Sequence, residues 1–261
     1  MKDRVVGAGI LLFLLISSLL INKLAFAVVI LIGSILGYRE LINIKYGKKE
    51  NNFEIVRFIG YVSLILIVFN NYLYKIDYQM LFVIPILGLT IPIVLYNNSK
   101  RYNINDALFI LGVVMFMGIS FNNIIYLNNL DMYKCIFIFI IAFATDTYAY
   151  IGGMLIGKHN FTSISPKKTM EGSVIGIIMG TFIGSIYYYA FIGGISTSII
   201  ILMCLLLTIL SEVGDLVFSS IKRYFNVKDY SNIIPGHGGI LDRFDSVIFV
   251  SLGLLVLINF I

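Results

Sequence analysis

The sequence predicts an all-α fold, a polytopic integral membrane protein of about nine transmembrane helices with its N-terminus cytoplasmic. Three observations lead there. Apolar runs recur along the whole chain, and a hydrocarbon core about 30 Å thick calls for roughly 20 such residues per helix. The composition, 59% hydrophobic and 13% charged over 261 residues with a mean hydropathy of +0.95, is far more apolar than a soluble domain requires. Lysine and arginine also segregate between alternate connections, as the elements taken in order make plain.

Lys2 and Arg4 precede an apolar run from Val5 to Ile21. With Ala25-Phe26-Ala27 behind it the run has the outline of a signal peptide, but a second span, Leu24 to Gly37, follows at once, so an uncleaved helical hairpin is the simpler expectation. A polar loop is expected from Tyr38 to Arg57, carrying Arg39, Lys45, Lys48, Lys49 and Arg57. Span three runs from Phe58 to Tyr74 and span four from Met80 to Tyr96, where Pro85 and Pro92 predict a kink. Span five covers Ala107 to Leu127 and span six Cys135 to Met154. A polar loop from Gly157 to Gly172 leads to span seven, Ser173 to Ile192. Span eight runs from Thr197 towards Phe218, and span nine from Ser246 to Ile261.

With the N-terminus inside, sixteen lysines and arginines fall on the cytoplasmic side and only Lys23, Lys75 and Lys134 outside. The net charge of +5 therefore belongs to a membrane face, where it meets anionic lipid, and speaks against a nucleic-acid partner. Cys135 and Cys204 lie in apolar spans without metal-ligand spacing and read as small packing residues. Trp is absent, so Tyr and Phe must form the interfacial belt. Gly172, Gly176, Gly180 and Gly184 repeat every four residues in span seven, a stripe that lets helices approach closely.

Ionisable residues near lipid are costly, about 2.5–3.5 kcal/mol each at a helix centre on insertion scales, and usually mark function. They gather between Ser211 and Asp245. Glu212, Asp215, Ser219 and then Lys222 or Arg223 follow helical three- and four-residue spacing, which puts them on one face at the cytoplasmic end of span eight. The same spacing suits a metal beside a phosphate or a set of intrahelical ion pairs. Asp242 and Asp245 share a face at the start of span nine, with Arg243 between them. Hard divalent cations such as magnesium take carboxylate oxygens and keep phosphate and water as remaining ligands, so Asp215 and Asp242 are the candidate metal residues. The intervening Ile234-Pro235-Gly236-His237-Gly238-Gly239 can aim backbone amides at an anion, and Lys222, Arg223, Lys228 and Arg243 surround it in sequence.

Upstream, Asp146 lies in span six within Thr145-Asp146-Thr147-Tyr148-Ala149-Tyr150, an intramembrane carboxylate expected to face the bundle interior. Gly152, Gly157 and Lys158 nearly spell a phosphate-binding P-loop, but the final Ser or Thr is missing and a helix precedes it, so that reading is rejected. Ser165-Pro166-Lys167-Lys168-Thr169-Met170-Glu171-Gly172 sets two lysines at the membrane surface, suited to a phosphate.

These residues carry a resemblance. From Ser219 through Ile221-Lys222-Arg223, Lys228-Asp229, Ser231, Ile234 to Ile240 and Asp242-Arg243-Phe244-Asp245, the chain resembles the phosphatidate cytidylyltransferases, or CDP-diacylglycerol synthases, without departure over 27 positions. Asp146-Thr147-x-Ala149-Tyr150 and the Ser165–Gly172 segment resemble that family's two upstream motifs, with Met170 where many members carry Trp. The resemblance covers spans five to nine; the first hundred residues match only as apolar spans. It implies the transfer of the cytidylyl group of CTP to phosphatidate, giving CDP-diacylglycerol and pyrophosphate, in a multi-pass protein of the cell membrane.

It also implies roles. Asp215 and Asp242 bind Mg2+, with Asp245 and Asp146 in or beside that shell and a second ion, divalent or K+, left open. Lys222, Arg223, Lys228 and Arg243 clamp phosphates, and Ser219 joins them. Lys167 and Lys168 meet nucleotide or lipid headgroup, and Gly236, His237, Gly238 and Gly239 line the nucleotide phosphates. Residues 1–106 are expected to form a scaffold and 107–261 the catalytic region, facing the cytoplasm and open sideways to lipid. A homodimer is expected by resemblance alone. The competing readings are a CTP-dependent lipid kinase and, behind it, a transporter of anionic lipid or nucleotide.

Overall fold

The computed structural model describes residues 2–47, 54–72, 76–96, 101–162, 164–233 and 238–260. Among these, nine helices follow the nine expected spans in order: α1 (Lys2–Ile21), α2 (Lys23–Tyr46), α3 (Glu54–Val68), α4 (Tyr78–Tyr96), α5 (Ile104–Leu130), α6 (Met132–Ile156), α7 (Met170–Phe191), α8 (Thr197–Tyr224) and α9 (Leu241–Ile258). Six of them, α2 and α4 to α8, are long and apolar enough to cross a bilayer. At 1.5 Å per residue, the 15 residues of α3 reach only about 22 Å. α9 opens on Asp242, Arg243 and Asp245, which keeps its first turn polar. The chain is a polytopic all-α membrane protein.

The chain divides into two compact units. The first comprises residues 1–126 with 230–240, the second residues 127–229 with 241–261.

In the first unit, the stretch expected as a polar loop is largely helical. α2 continues through Arg39 and Glu40 to Tyr46 before Gly47 ends it with φ of 59°. The reason is burial: Tyr38, Glu40, Leu41 and Ile42 form an inward face that polarity alone concealed. Lys45 Nζ reaches Asp106 Oδ1 at 3.4 Å, and the Tyr46 hydroxyl donates to the same carboxylate at 3.0 Å, tying the end of α2 to the start of α5. Lys48 and Lys49 lie outside the described residues.

α3 stops six residues short of the expected Tyr74, because Asn122 of α5 donates to the terminal carbonyls of Ile67 and Val68 at 2.9 and 3.0 Å. Carbonyls at a helix end need such partners. Pro85 and Pro92 both sit inside the continuous α4.

The second unit is α6 to α9, and the glycine stripe explains its tightness. A Cβ on Gly172 would stand 2.6 Å from the Ala149 carbonyl, and one on Gly176 2.7 Å from that of Thr145. Gly180 meets Thr145 and Thr208, and Gly184 meets Ile141. On the other side, Gly214 of α8 packs on the Asp245 carbonyl and Phe249 of α9. Backbones this close hold the side chains of α6, α8 and α9 in a fixed relation.

Candidate active site

The polar stripe of α8 forms as its spacing predicts. Ser219 donates to Asp215 Oδ1 at 3.2 Å, one helical turn away. Glu212 and Asp215 converge on one cation from outside the helix: Lys168 Nζ lies 2.8 Å from Glu212 Oε2 and 2.7 Å from Asp215 Oδ2. Burial alone would lower the Lys168 ammonium, but Asp215 and then Glu212 overcome it and raise the group above the ordinary lysine range. Ser173 of α7 adds a bond of 3.5 Å to the same Glu212 oxygen.

A folded loop delivers Lys168. Asn160 and Thr169 form an antiparallel bridge, with Phe161 N–H donating to the Lys168 carbonyl and Met170 N–H to that of His159, both at 2.9 Å. Thr169 caps α7 by accepting from Gly172 N–H. Glu171 accepts from the backbone amides of Lys158 and His159 and pairs with the His159 ring. Arg223 donates to the carbonyls of Ile164 and Val227 at 3.4 and 3.1 Å, so in this conformation it braces the same loop. The segment that nearly spelled a P-loop is therefore a strut for Lys168.

A cavity of about 280 Å³ opens beside this strut, lined by Ala149, Tyr150, Gly153 and Met154 of α6 and by Lys167, Lys168, Thr169 and Ser173. Tyr150 and Met154 are exposed on the outer face of α6.

On α9, Asp242 Oδ1 accepts from Lys222 Nζ at 2.7 Å, both side chains being nearly buried. Ser246 donates its amide to Asp245 Oδ1 at 2.9 Å and its hydroxyl to Asp146 Oδ1 at 3.5 Å. The carboxylates of Asp146, Asp215 and Asp245 stand close enough to repel one another. Asp146 is exposed, and Asp215 and Asp245 are half-buried.

Of the residues anticipated from sequence, Lys168, Asp215 and Ser219 share one set of polar contacts, Lys222 and Asp242 a second, and Asp146 and Asp245, through Ser246, a third. Lys167, Lys228 and Arg243 are exposed. Gly238 and Gly239 are buried, in the first unit; Gly236 and His237 lie outside the described residues. Three participants had no role assigned from sequence. Glu212 was visible in the stripe but not given one. Ser173 and Ser246 are small polar residues at the mouths of apolar spans, a weak signal by itself.

The family model of the cytidylyltransferase family matches residues 2–261. The chain belongs to the cytidylyltransferase family. It is 38% identical over 154 residues to a phosphatidate cytidylyltransferase of Staphylococcus haemolyticus, covering 59% of each chain. It is 30% identical over 265 residues to a phosphatidate cytidylyltransferase of Bacillus subtilis, covering 96% of this chain and 94% of that one. A protein of the same name from Staphylococcus aureus is 32% identical over 255 residues, covering 96% of both. The chain thus spans about three fifths of the first of these relatives and nearly all of the other two.

Membership of this family raises the question of a metal. Among the described residues no three Asp, Glu, His or Cys side chains are arranged to hold an ion unaided. The donors are nevertheless the right kind, carboxylate oxygens, and Glu212 Oε1 is buried without a hydrogen-bond partner. Magnesium usually takes one or two carboxylates and completes its shell with phosphate oxygens and water. The carboxylates of Asp215 and Asp242 fit that pattern.

Proposed function

We propose that this protein transfers the cytidylyl group of CTP to phosphatidate, forming CDP-diacylglycerol and pyrophosphate at the cytoplasmic face of the cell membrane. The observation that carries the reading is the Lys168 ammonium shared between Glu212 and Asp215, beside a cavity whose outer wall is the exposed face of α6. Family membership supports the same reaction.

The lipid phosphate is already ionised, so its attack on the α-phosphorus of CTP needs no strong base. The task is to hold two polyanions in line and to stabilise charge on the departing pyrophosphate. Lys167 and Lys168, at the cavity, meet the lipid headgroup or nucleotide. Lys222, Arg223, Lys228 and Arg243 take nucleotide phosphates together with Ser219, and the family resemblance assigns Gly236, His237, Gly238 and Gly239 to the same phosphates. When bound, magnesium neutralises phosphate charge, and Asp215 and Asp242 are the residues that would hold it, with Asp146 and Asp245 alongside. Residues 107–261 carry this chemistry and residues 1–106 act as scaffold. A homodimer is the assembly that the family resemblance favours.

The test uses purified protein in lipid–detergent micelles with phosphatidate and CTP labelled at the α-phosphate, with and without EDTA. Label entering lipid, and ceasing to enter when EDTA is added, supports both the transfer and its metal. Lipid labelled only by γ-labelled CTP replaces this reading with a lipid kinase. No label from either position defeats both and directs attention to transport, measured as flux into proteoliposomes.

A further inference from the structure

Glu40 lies in α2, 191 residues before Ser231 of the signature, and is 2% exposed. A buried carboxylate requires donors, and both described here come from one distant segment. Its Oε1 accepts from the Ser231 hydroxyl at 2.6 Å and from the Ile240 amide at 2.9 Å. Ser231 Oγ in turn accepts from the Ile233 amide at 3.3 Å. Gly239 rests directly on the carboxylate, where a Cβ would come within 2.6 Å of both Cδ and Oε2. Its neighbour Gly238 has φ of 80°, a conformation that favours glycine. The two glycines are therefore required for different reasons, one for backbone conformation and one for contact with Glu40.

We infer that Glu40 is a positioning residue for the nucleoside triphosphate. It fixes Ser231 at one end of the signature segment and Gly239–Ile240 at the other. This rests on the proposed reading that the segment meets nucleotide phosphates. Glu40 itself touches no substrate; it acts by fixing Gly239, and Gly238 beside it, the described glycines assigned to the nucleotide phosphates, which removes an ordering cost from binding.

Steady-state kinetics of Glu40→Ala, Ser231→Ala, Gly239→Ala and the Glu40→Ala/Gly239→Ala pair, with CTP and phosphatidate varied separately, test it. Glu40→Ala should raise the KM for CTP about tenfold or more while the KM for phosphatidate stays within about twofold. Ser231→Ala, which loses one bond only, should shift it in the same direction by less. Gly239→Ala should be harmful alone but add nothing to Glu40→Ala, since the clashing carboxylate is gone. Glu40→Asp should recover part of the CTP affinity, because it keeps the charge. An unchanged KM for CTP in folded Glu40→Ala and Ser231→Ala overturns the inference. So does a parallel loss for both substrates that tracks thermal stability, which is the behaviour of a merely structural residue. Wild-type protein that turns over no CTP defeats the functional reading, and this inference with it.

Discussion

Lys168 Nζ lies 2.7 Å from Asp215 Oδ2, joining the loop before α7 to the polar stripe of α8. With Glu212 on its other side, the ammonium bridges a carboxylate that is nearly buried and one that is a quarter exposed. The half-buried member also interacts electrostatically with Asp146 and Asp245. The contact thus couples the architecture of the second unit to the side chains that the proposed reaction needs.

Its strength predicts a stability effect that persists to alkaline pH. Lys168→Met leaves two carboxylates short of a partner and should cost about 3 kcal/mol, the low end for breaking a buried pair. Burial would lower the lysine, but Asp215 and Glu212 hold it above its ordinary value. A group raised on folding contributes fully below its unfolded pKa, and its contribution is lost as pH rises through the folded one. The gap in thermal unfolding between wild type and Lys168→Met in detergent should therefore persist at about pH 9, still below the ordinary lysine value. A gap that closes by pH 9 would show that the lysine is not held by these carboxylates.

Turnover should be far more sensitive than folding at the carboxylates proposed to hold the metal. Asp215→Asn and Asp242→Asn keep shape and remove charge, and each should reduce kcat about a hundred- to a thousandfold, by analogy with losing one stabiliser of a transition state. Cytidylyl label entering lipid is the readout. Near-wild-type rates in either folded variant would remove that residue from the metal assignment.

The glycine stripe permits a prediction about packing alone. Gly176→Ala would drive a methyl group to 2.7 Å from the Thr145 carbonyl, a backbone atom that cannot swing aside. Overpacking of this kind costs about 1–3 kcal/mol. At Gly112 of α5 nothing lies within 4 Å of the added carbon, and an alanine is helix-compatible there. Gly112→Ala should be neutral or stabilise by up to about 1 kcal/mol. Thermal unfolding of the two variants should move in opposite directions or leave Gly112→Ala unmoved. Equal losses would mean that close approach of α6 and α7 is not what the stripe serves.

The order of the helices was legible because bilayer thickness imposes a length on apolar runs, and the α8 stripe because helical spacing is periodic. The extent of α2 was not. Arg39, Glu40 and Lys45 look like a loop when read for polarity, and only the buried partners of Glu40 and Lys45 make that stretch a helix. Pairing between distant segments was likewise hidden: two lysines in a surface loop have no sequence feature that sends Lys168 inward to Glu212 while Lys167 remains outside. The role of Ser246 depends on Asp146, a hundred residues away, and only the approach of α6 and α9 reveals it.

The Lys222–Asp242 pair allows a structural ion pair to be distinguished from a working one. At 2.7 Å, with the side chains 12% and 6% exposed, either role alone would justify its presence. Each single change, Lys222→Asp or Asp242→Lys, places like charges together in a poorly solvated position and should destabilise the fold. Exchanging the two restores opposite charges across the same gap. If the pair only holds α8 to α9, the exchanged protein should regain both thermal stability and turnover. If Lys222 meets phosphate and Asp242 a cation, the exchange reverses both signs where the ligands bind. Stability should then return in part while turnover stays at least a hundredfold down, the scale of one lost transition-state contact. Recovery of both would return the pair to a purely structural role.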